Sequence, residues 1–268
     1  MQVQQDAQRD LTSAIFVHRQ QNPDQQAYAL IYGVPVPALY PALVEFFRDD
    51  TYQGNDWLAL VTDAREGIES AQYGAFLVRL PQASPDDALL TKLTSLCQQH
   101  PFAVAFLFSP WGLSELTQAL QQRLLAIDGD RLEWRINFFD TRCLPVLAAA
   151  LTPSQHQSFF SVVSEWWWLN RENQLQKIKV TEQAGADFSS PLTLSDAQMA
   201  QFTDAALVDS TLYTLARNDA DLLRTFDQQT TYRIVAQALQ SAPAAIRDSM
   251  LALEDLARSA LFSAIEKT

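Results

Sequence analysis

An α/β fold in two lobes is what this sequence predicts: a mixed-sheet N-terminal lobe followed by a second, all-α-helical C-terminal lobe. Three observations carry it. Through residues 1–180, short apolar runs bounded by Gly, Pro or Asn alternate with stretches of helical period. Past residue 191 the strand signals stop, and apolar residues recur at three- and four-residue spacing. Between them Thr181–Pro191, TEQAGADFSSP, is small, polar and broken by Gly and Pro, which predicts a linker and a boundary between an α/β lobe over 1–180 and a helical lobe over 192–268.

Each element has its own reason. Leu11, Ile15 and His18 share one face of an N-terminal helix, which Asn22-Pro23-Asp24 breaks. Tyr28-Ala29-Leu30-Ile31-Tyr32 reads as a buried strand ending at Gly33. Pro37 and Pro41 suit the first turn of a helix that turns Leu39, Leu43, Phe46 and Phe47 inward. Strands follow over 57–61 and 76–80. A helix starts at Asp86 or Asp87, repeats through Leu89, Leu93, Leu96 and His100, and is stopped by Pro101. Phe102–Phe108 is a continuous apolar strand.

After Ser109-Pro110 a helical stripe runs Leu113, Leu116, Leu120, Leu124, Ile127, up to the turn Asp128-Gly129-Asp130. Leu132–Phe139 reads as a strand leading into a helix over 141–150, and Leu151-Thr152-Pro153 begins another. Asn170–Asn173 separates Trp166–Leu169 from Leu175–Val180 as a hairpin. The C-terminal lobe should hold three or four helices, with stripes at Met199, Phe202, Ala206, Tyr213, Ala216, at Tyr232, Val235, Leu239, and at Ile246, Met250, Leu253, Ala257, Leu261, Ile265. Ser195 and Ser241 supply cap signals.

With 268 residues and 48% hydrophobic composition, the chain can bury a core without metal or disulfide. Its net charge of -12 and the lack of a Lys/Arg run argue against nucleic acid and anionic membranes as partners. Cys97 and Cys143 lie in apolar stretches and read as buried thiols in a reducing compartment. The N-terminal stretch has neither the basic region nor the apolar run of an export signal, and the apolar runs are too short to span a bilayer; a cytoplasmic location is the expectation.

Chemistry-bearing motifs are scarce. The seven glycines form no phosphate-binding loop, no Ser sits in a GxSxG elbow, and His18, His100 and His156 lie in separate elements without metal-ligand spacing. No catalytic, cofactor or metal residues are assigned, no small-molecule substrate is expected, and the chain is read as a non-enzyme. Asp140-Thr141-Arg142 places an acid and a base after an apolar run. An N-cap role for Asp140, with Arg142 as its partner, outweighs catalysis. The competing enzyme reading uses Asp140, Arg142 and a histidine.

Two more features bear on protein binding, and internal packing is the competing reading for both. In the run Trp166-Trp167-Trp168, alternate side chains of a strand point to opposite faces, so at least one tryptophan is expected near a surface or the lobe seam. Trp anchors interfaces. Asp209 falls on the apolar stripe near Ala206, Leu212 and Tyr213, as a carboxylate that is either paired or facing a groove. Trp166, Trp167, Trp168, Phe202, Asp209 and Tyr213 are therefore the candidate partner-binding residues.

With these segments in order, residues 28–163 resemble the type VI secretion effector adaptor family, the Tap/Tec chaperones. Tyr28–Gly33 is similar to that family's opening strand, Tyr73–Leu80 to its segment ending in Val-Arg-Leu, and Phe106–Ser109 with Leu113–Leu116 to its strand-and-helix segment. Ile136–Leu144, INFFDTRCL, resembles its most telling motif, FRFYDPRVL, and Leu151-Thr152-Pro153 with Phe159-Phe160 continues the pattern. Asn137 stands where the family often has Arg, and Thr141 where it has Pro. The motif positions singled out as structural are Tyr28, Gly33, Arg79, Ser109, Phe139, Asp140 and Arg142. The resemblance implies a cytoplasmic chaperone that binds one cognate effector and helps mount it on the valine-glycine repeat spike. An immunity-like toxin binder is the alternative within the binding class.

Overall fold

A computed structural model describes residues 2–34, 57–60, 74–80, 88–180, 188–247 and 249–266, with side chains from residue 11 onward and Ala244 excepted. The helix expected around Pro37–Phe47, the helix start at Asp86 or Asp87 and most of the 181–191 linker lie outside the described residues. The chain divides into two compact units, residues 1–198 and 199–268.

The first unit is a mixed α/β layer structure. Its strands are β1 (Gln26–Tyr32), β2 (Trp57–Ala59), β3 (Ala75–Arg79), β4 (Val104–Ser109), β5 (Leu125–Ile127), β6 (Glu133–Arg135), β7 (Glu165–Leu169), β8 (Leu175–Lys179) and β9 (Leu192–Thr193). Its helices are α1 (Gln2–Gln21), α2 (Ala88–Gln99), α3 (Leu113–Gln122), α4 (Cys143–Ala150) and α5 (Pro153–Phe160). Six strands form one sheet in the order β2-β3-β1-β4-β7-β8, and every pairing in it is antiparallel. The mixed character expected of the sheet is confined to a second, three-stranded one, β6-β5-β9, in which β5 and β9 run parallel. Leu192 and Thr193, assigned from the sequence to the helical lobe, thus pair with β5 in the first unit.

Helices cover both faces of the large sheet, which explains why its central strands read as continuous apolar runs instead of alternating ones. Ala27, Ala29 and Ile31, with Phe76, Val78, Phe106, Phe108, Trp167 and Leu169, pack against Leu11 and Ile15 of α1 and Leu89, Leu93 and Cys97 of α2. The alternate residues Tyr28, Leu30, Leu77, Leu107 and Trp166 are equally buried. Phe138 and Phe160 close edge-on over Trp166, with ring centroids 5.7 and 5.8 Å away. Burying each such side chain contributes about 1.5–3 kcal/mol.

Two expected elements differ. The stripe after Ser109 does not stay helical to Ile127: α3 ends at Gln122, and Leu125–Ile127 becomes β5. Helix and strand periods both fit Leu124-Leu125-Ala126-Ile127. Hairpin pairing with β6 across the Asp128–Asp130 turn decides for strand, with Asp128 Oδ1 accepting from the Asp130 and Leu132 N–H groups. The expected strand over 132–139 shrinks to Glu133–Arg135, because Phe138 and Phe139 leave the small sheet to fill the core. The β7–β8 hairpin forms as expected, with Asn170 Oδ1 accepting from the N–H groups of Glu172 and Gln174 and Asn173 supplying φ 58.

Among its described residues the second unit holds helices only. α6 (Asp196–Asn218) starts in the first unit, and α7 (Ala220–Leu223), α8 (Gln228–Gln240), α9 (Ala244–Arg247) and α10 (Met250–Ile265) follow. Leu215, Leu222, Val235, Leu239, Leu253, Ala257 and Leu261 form its core. Ser195 caps α6 as expected, accepting from Gln198 N–H while Gln198 Oε1 accepts from Ser195 N–H. Ser241 caps the other way. It closes α8, its hydroxyl donating back to the Ala238 carbonyl at 2.9 Å.

Candidate functional site

The motif positions of the first unit hold the fold together at two places. Near the end of β4, Tyr28 donates its hydroxyl to the Trp111 carbonyl at 2.6 Å, and burial pushes its pKa up to about 12. Ser109 sits beside it, donating to the Val162 carbonyl at 2.7 Å and accepting from Trp111 N–H. These bonds fasten the turn into α3 and the loop into β7 onto one strand end. At the far end of β1, Gly33 N–H donates to the Gly74 carbonyl, and Tyr32 packs on Phe139 with centroids 5.2 Å apart. Arg79 lies at the exposed end of β3.

Asp140 and Arg142 do pair. Arg142 donates Nε–H and Nη2–H to both carboxylate oxygens, in the fork geometry that makes Arg–carboxylate pairs strong, and its guanidinium lies 4.6 Å over Phe102. The N-cap expectation needs correcting: α4 begins at Cys143, and no side chain caps it. Asp140 Oδ1 accepts instead from Arg142 N–H at 3.1 Å, closing a turn one step earlier. The physical reason is that Thr141 is drawn away, bonding Pro101 and Phe102 carbonyls, so the first helical N–H groups lie beyond the carboxylate's reach. The histidines contact other groups: His18 packs on Phe108 and Trp167, and His156 on Phe160.

All three tryptophans are buried, so of the two places expected for at least one of them, a surface or the lobe seam, the surface is not the one found. Trp167 lies on the α1–α2 side, with Trp166 and Trp168 on the other, opposite Phe106, Leu107 and Ala105 of β4. A sheet covered on both faces gives every alternate position a core, so the run needs no outlet. Trp167 donates Nε1–H to Glu165 at 2.6 Å, and the Lys177 ammonium lies 3.5 Å over its ring. Trp166 Nε1 has no partner among the described residues.

In the second unit, Tyr213 is 67% exposed and Phe202 half-buried, while Asp209 is partly buried and holds contacts of its own. The expected stripe of α6 is rotated. Its inward line is Leu207, Val208, Leu212 and Leu215, and Tyr213 lies about 200° around the axis from Leu215. The stripe through Val235 and Leu239 is buried as expected, and in α10 so are Leu253, Ala257 and Leu261, but Met250 and Ile265 are exposed.

Sequence reasoning missed three sites. Arg123 is buried with no carboxylate among its bonding partners in the described residues. It donates to the carbonyls of Ala119, Ser158 and Phe159 and stacks 4.2 Å over Phe188, and burial lowers its pKa to about 10. Trp134 stands exposed on β6, its indole N–H held by Asp128 Oδ2 at 2.7 Å. Glu254 is buried on α10 and accepts from Arg258 and Asn218. None of these belongs to a motif: Arg123 is held chiefly by backbone carbonyls, Trp134 by a carboxylate across the β5–β6 turn, and Glu254 by Arg258 one helical turn on and by Asn218 of another helix. Among the described residues no group of three or more His, Cys, Asp or Glu is placed to hold a metal ion, and no helix is long and apolar enough to cross a membrane.

A six-stranded antiparallel sheet between helical layers, followed by a helical unit, defines a mixed α/β protein. Residues 27–158 match the model of a family described as a domain of unknown function, DUF4123. That domain is known in type VI secretion effector adaptors. No curated protein and no solved structure matches the chain significantly.

Proposed function

We propose that this chain is an adaptor chaperone which binds a cognate type VI secretion effector in the cytoplasm and helps load it onto the valine-glycine repeat spike. The observation that carries the reading is the DUF4123 match over residues 27–158, a stretch that holds all the adaptor-like motifs but the final Phe159-Phe160. The geometry is compatible with it: Tyr28 and Ser109 fasten the turn into α3 and the loop into β7, and Asp140 pairs with Arg142, so these motif side chains support the scaffold. On this reading the chain makes and breaks no bond itself. The client contacts exposed surface, with Tyr213 of α6 a candidate anchor, and the buried tryptophans support the scaffold.

Co-expression with the products of the flanking genes tests this. The expected result is a stable complex with one large toxin whose toxic activity survives in the complex. A toxin silenced by binding would make the chain an immunity protein, and recovery of the chain alone would remove the adaptor reading.

A further inference from the structure

The inward line of α10, Leu253, Ala257 and Leu261, is buried in the core of the second unit. Its outward line is unusual for a helix of an acidic chain. Leu251, Asp255, Arg258, Phe262 and Ile265 follow one another at alternating steps of four and three, the spacing of a coiled-coil seam. Leu251 is 74% exposed and Phe262 51%, so the two large apolar positions that flank the middle of the line have no cover within the described residues, while Arg258 between them is half-exposed. Asp255 and Arg258, in the middle of the line, are ion-paired at 2.9 Å.

We propose that this seam joins two copies of the chain, α10 packing antiparallel on the partner's α10 about a two-fold axis midway between Asp255 and Arg258. The order of residues is self-complementary under that operation. Leu251 meets the partner's Phe262, and Asp255 meets the partner's Arg258; each contact occurs twice, as an isologous interface requires. A parallel pair would set Asp255 against the partner's Asp255 and Arg258 against the partner's Arg258, which is repulsive.

The ion-pair atoms have capacity for this. Arg258 spends Nε–H on Asp219, one Nη1–H on Asp255 and one Nη2–H on Glu254. A guanidinium has five N–H groups, so two remain. Asp255 bonds through Oδ1 alone among the described residues, leaving Oδ2 for the partner's guanidinium. One helix seam buries less than the roughly 1,200 Å² at which stable interfaces begin, so the dimer is weak and concentration-dependent.

Sedimentation equilibrium of the full chain over a wide concentration range tests the proposal without any client, and so stands or falls apart from the adaptor reading. The wild-type mass rises from one chain toward two. Leu251→Lys and Phe262→Glu each keep the melting temperature but weaken the dimer by about tenfold or more. An equimolar mixture of the two variants recovers association, because the introduced lysine of one chain then faces the introduced glutamate of the other, and the unaltered Phe262 faces the unaltered Leu251. A wild-type chain that stays monomeric throughout overturns the proposal, as do single variants that associate like the wild type. A mixture that associates no better than its components overturns the antiparallel pairing. If the wild type is monomeric and the variants lose a bound toxin instead, the seam is the client's seat and not a dimer contact.

Discussion

The Nε–H of Arg123 meets the backbone carbonyl of Phe159 at 2.6 Å. Through it a buried charge just past the end of α3 is neutralised by the C-terminal carbonyls of α5, where the aligned peptide dipoles carry partial negative charge. Burial with no carboxylate partner among the described residues is tolerable because the guanidinium donates to carbonyls on two helices at once. Arg123→Met removes those donors and leaves the carbonyls dry. The loss should be about 2–4 kcal/mol of unfolding free energy, read from the urea midpoint. Arg123→Lys should rescue little of it, since one ammonium cannot reproduce the planar fork.

Gln198 joins two helix starts. Its amide donates to the Ala150 carbonyl and to Gln155 Oε1, both at 2.8 Å, while Gln155 donates to the Thr193 carbonyl at 2.7 Å. Gln198→Ala should cost about 1–2 kcal/mol, because Ser195 N–H also loses its acceptor. In a double-mutant cycle with Gln155→Ala, measured by urea unfolding, the two losses should add to more than the double variant shows.

Stability should fall at alkaline pH through Cys97. Burial pushes its thiol from 9.0 up to about 12. The unfolded chain gives up that proton near pH 9 and the folded chain does not, so the contribution is complete below pH 9 and is lost as pH rises toward 12. Tyr28, raised from 10.0 to about 12 by burial, adds the same sign over the upper part of that window. The slope from each group is at most about 1.4 kcal/mol per pH unit. Urea midpoints from pH 8 to 10.5 should decline for the wild type and flatten for Cys97→Ala, which is less stable throughout because of its cavity.

Truncation should separate scaffold from surface among the binding candidates. Trp166→Ala and Trp167→Ala should each cost about 3–5 kcal/mol, as large core deletions do. Tyr213→Ala should change stability by no more than about 0.5 kcal/mol. A partner lost by the tryptophan variants is therefore lost through unfolding, which thermal melts detect, whereas loss with Tyr213→Ala at an unchanged melting temperature marks a contact.

The legible parts of this fold are those where a local signal and the tertiary outcome agree. The runs at Tyr28–Tyr32 and Phe102–Phe108 are long, apolar and bounded by turn residues, and they became β1 and β4. Thr152-Pro153 with Gln155 announces a capped helix, and α5 has both bonds of the capping box. Where two periods fit equally, hairpin pairing decided: Leu125–Ile127 carried no local mark separating it from α3. In α6 apolar residues are frequent enough for two stripes to be drawn. Contacts with α8 and α10 select the one through Leu215, which turns Tyr213 outward. Arg123 and Glu254 were illegible for a simpler reason. Arg123 is held chiefly by backbone carbonyls, and although Glu254 has a legible i,i+4 partner in Arg258, nothing local marks its bond to Asn218 or the burial of its carboxylate.

The account rests on this chain serving a client and performing no chemistry of its own. Delivery of the flanking-gene toxin to competitor cells, compared between the parent strain and one lacking this chain, tests it most directly, with export of the spike followed in parallel. The account expects delivery of that one toxin to be lost, export of the spike to persist, and re-expression of the chain to restore delivery. Toxin delivery undiminished in the strain lacking the chain would contradict it.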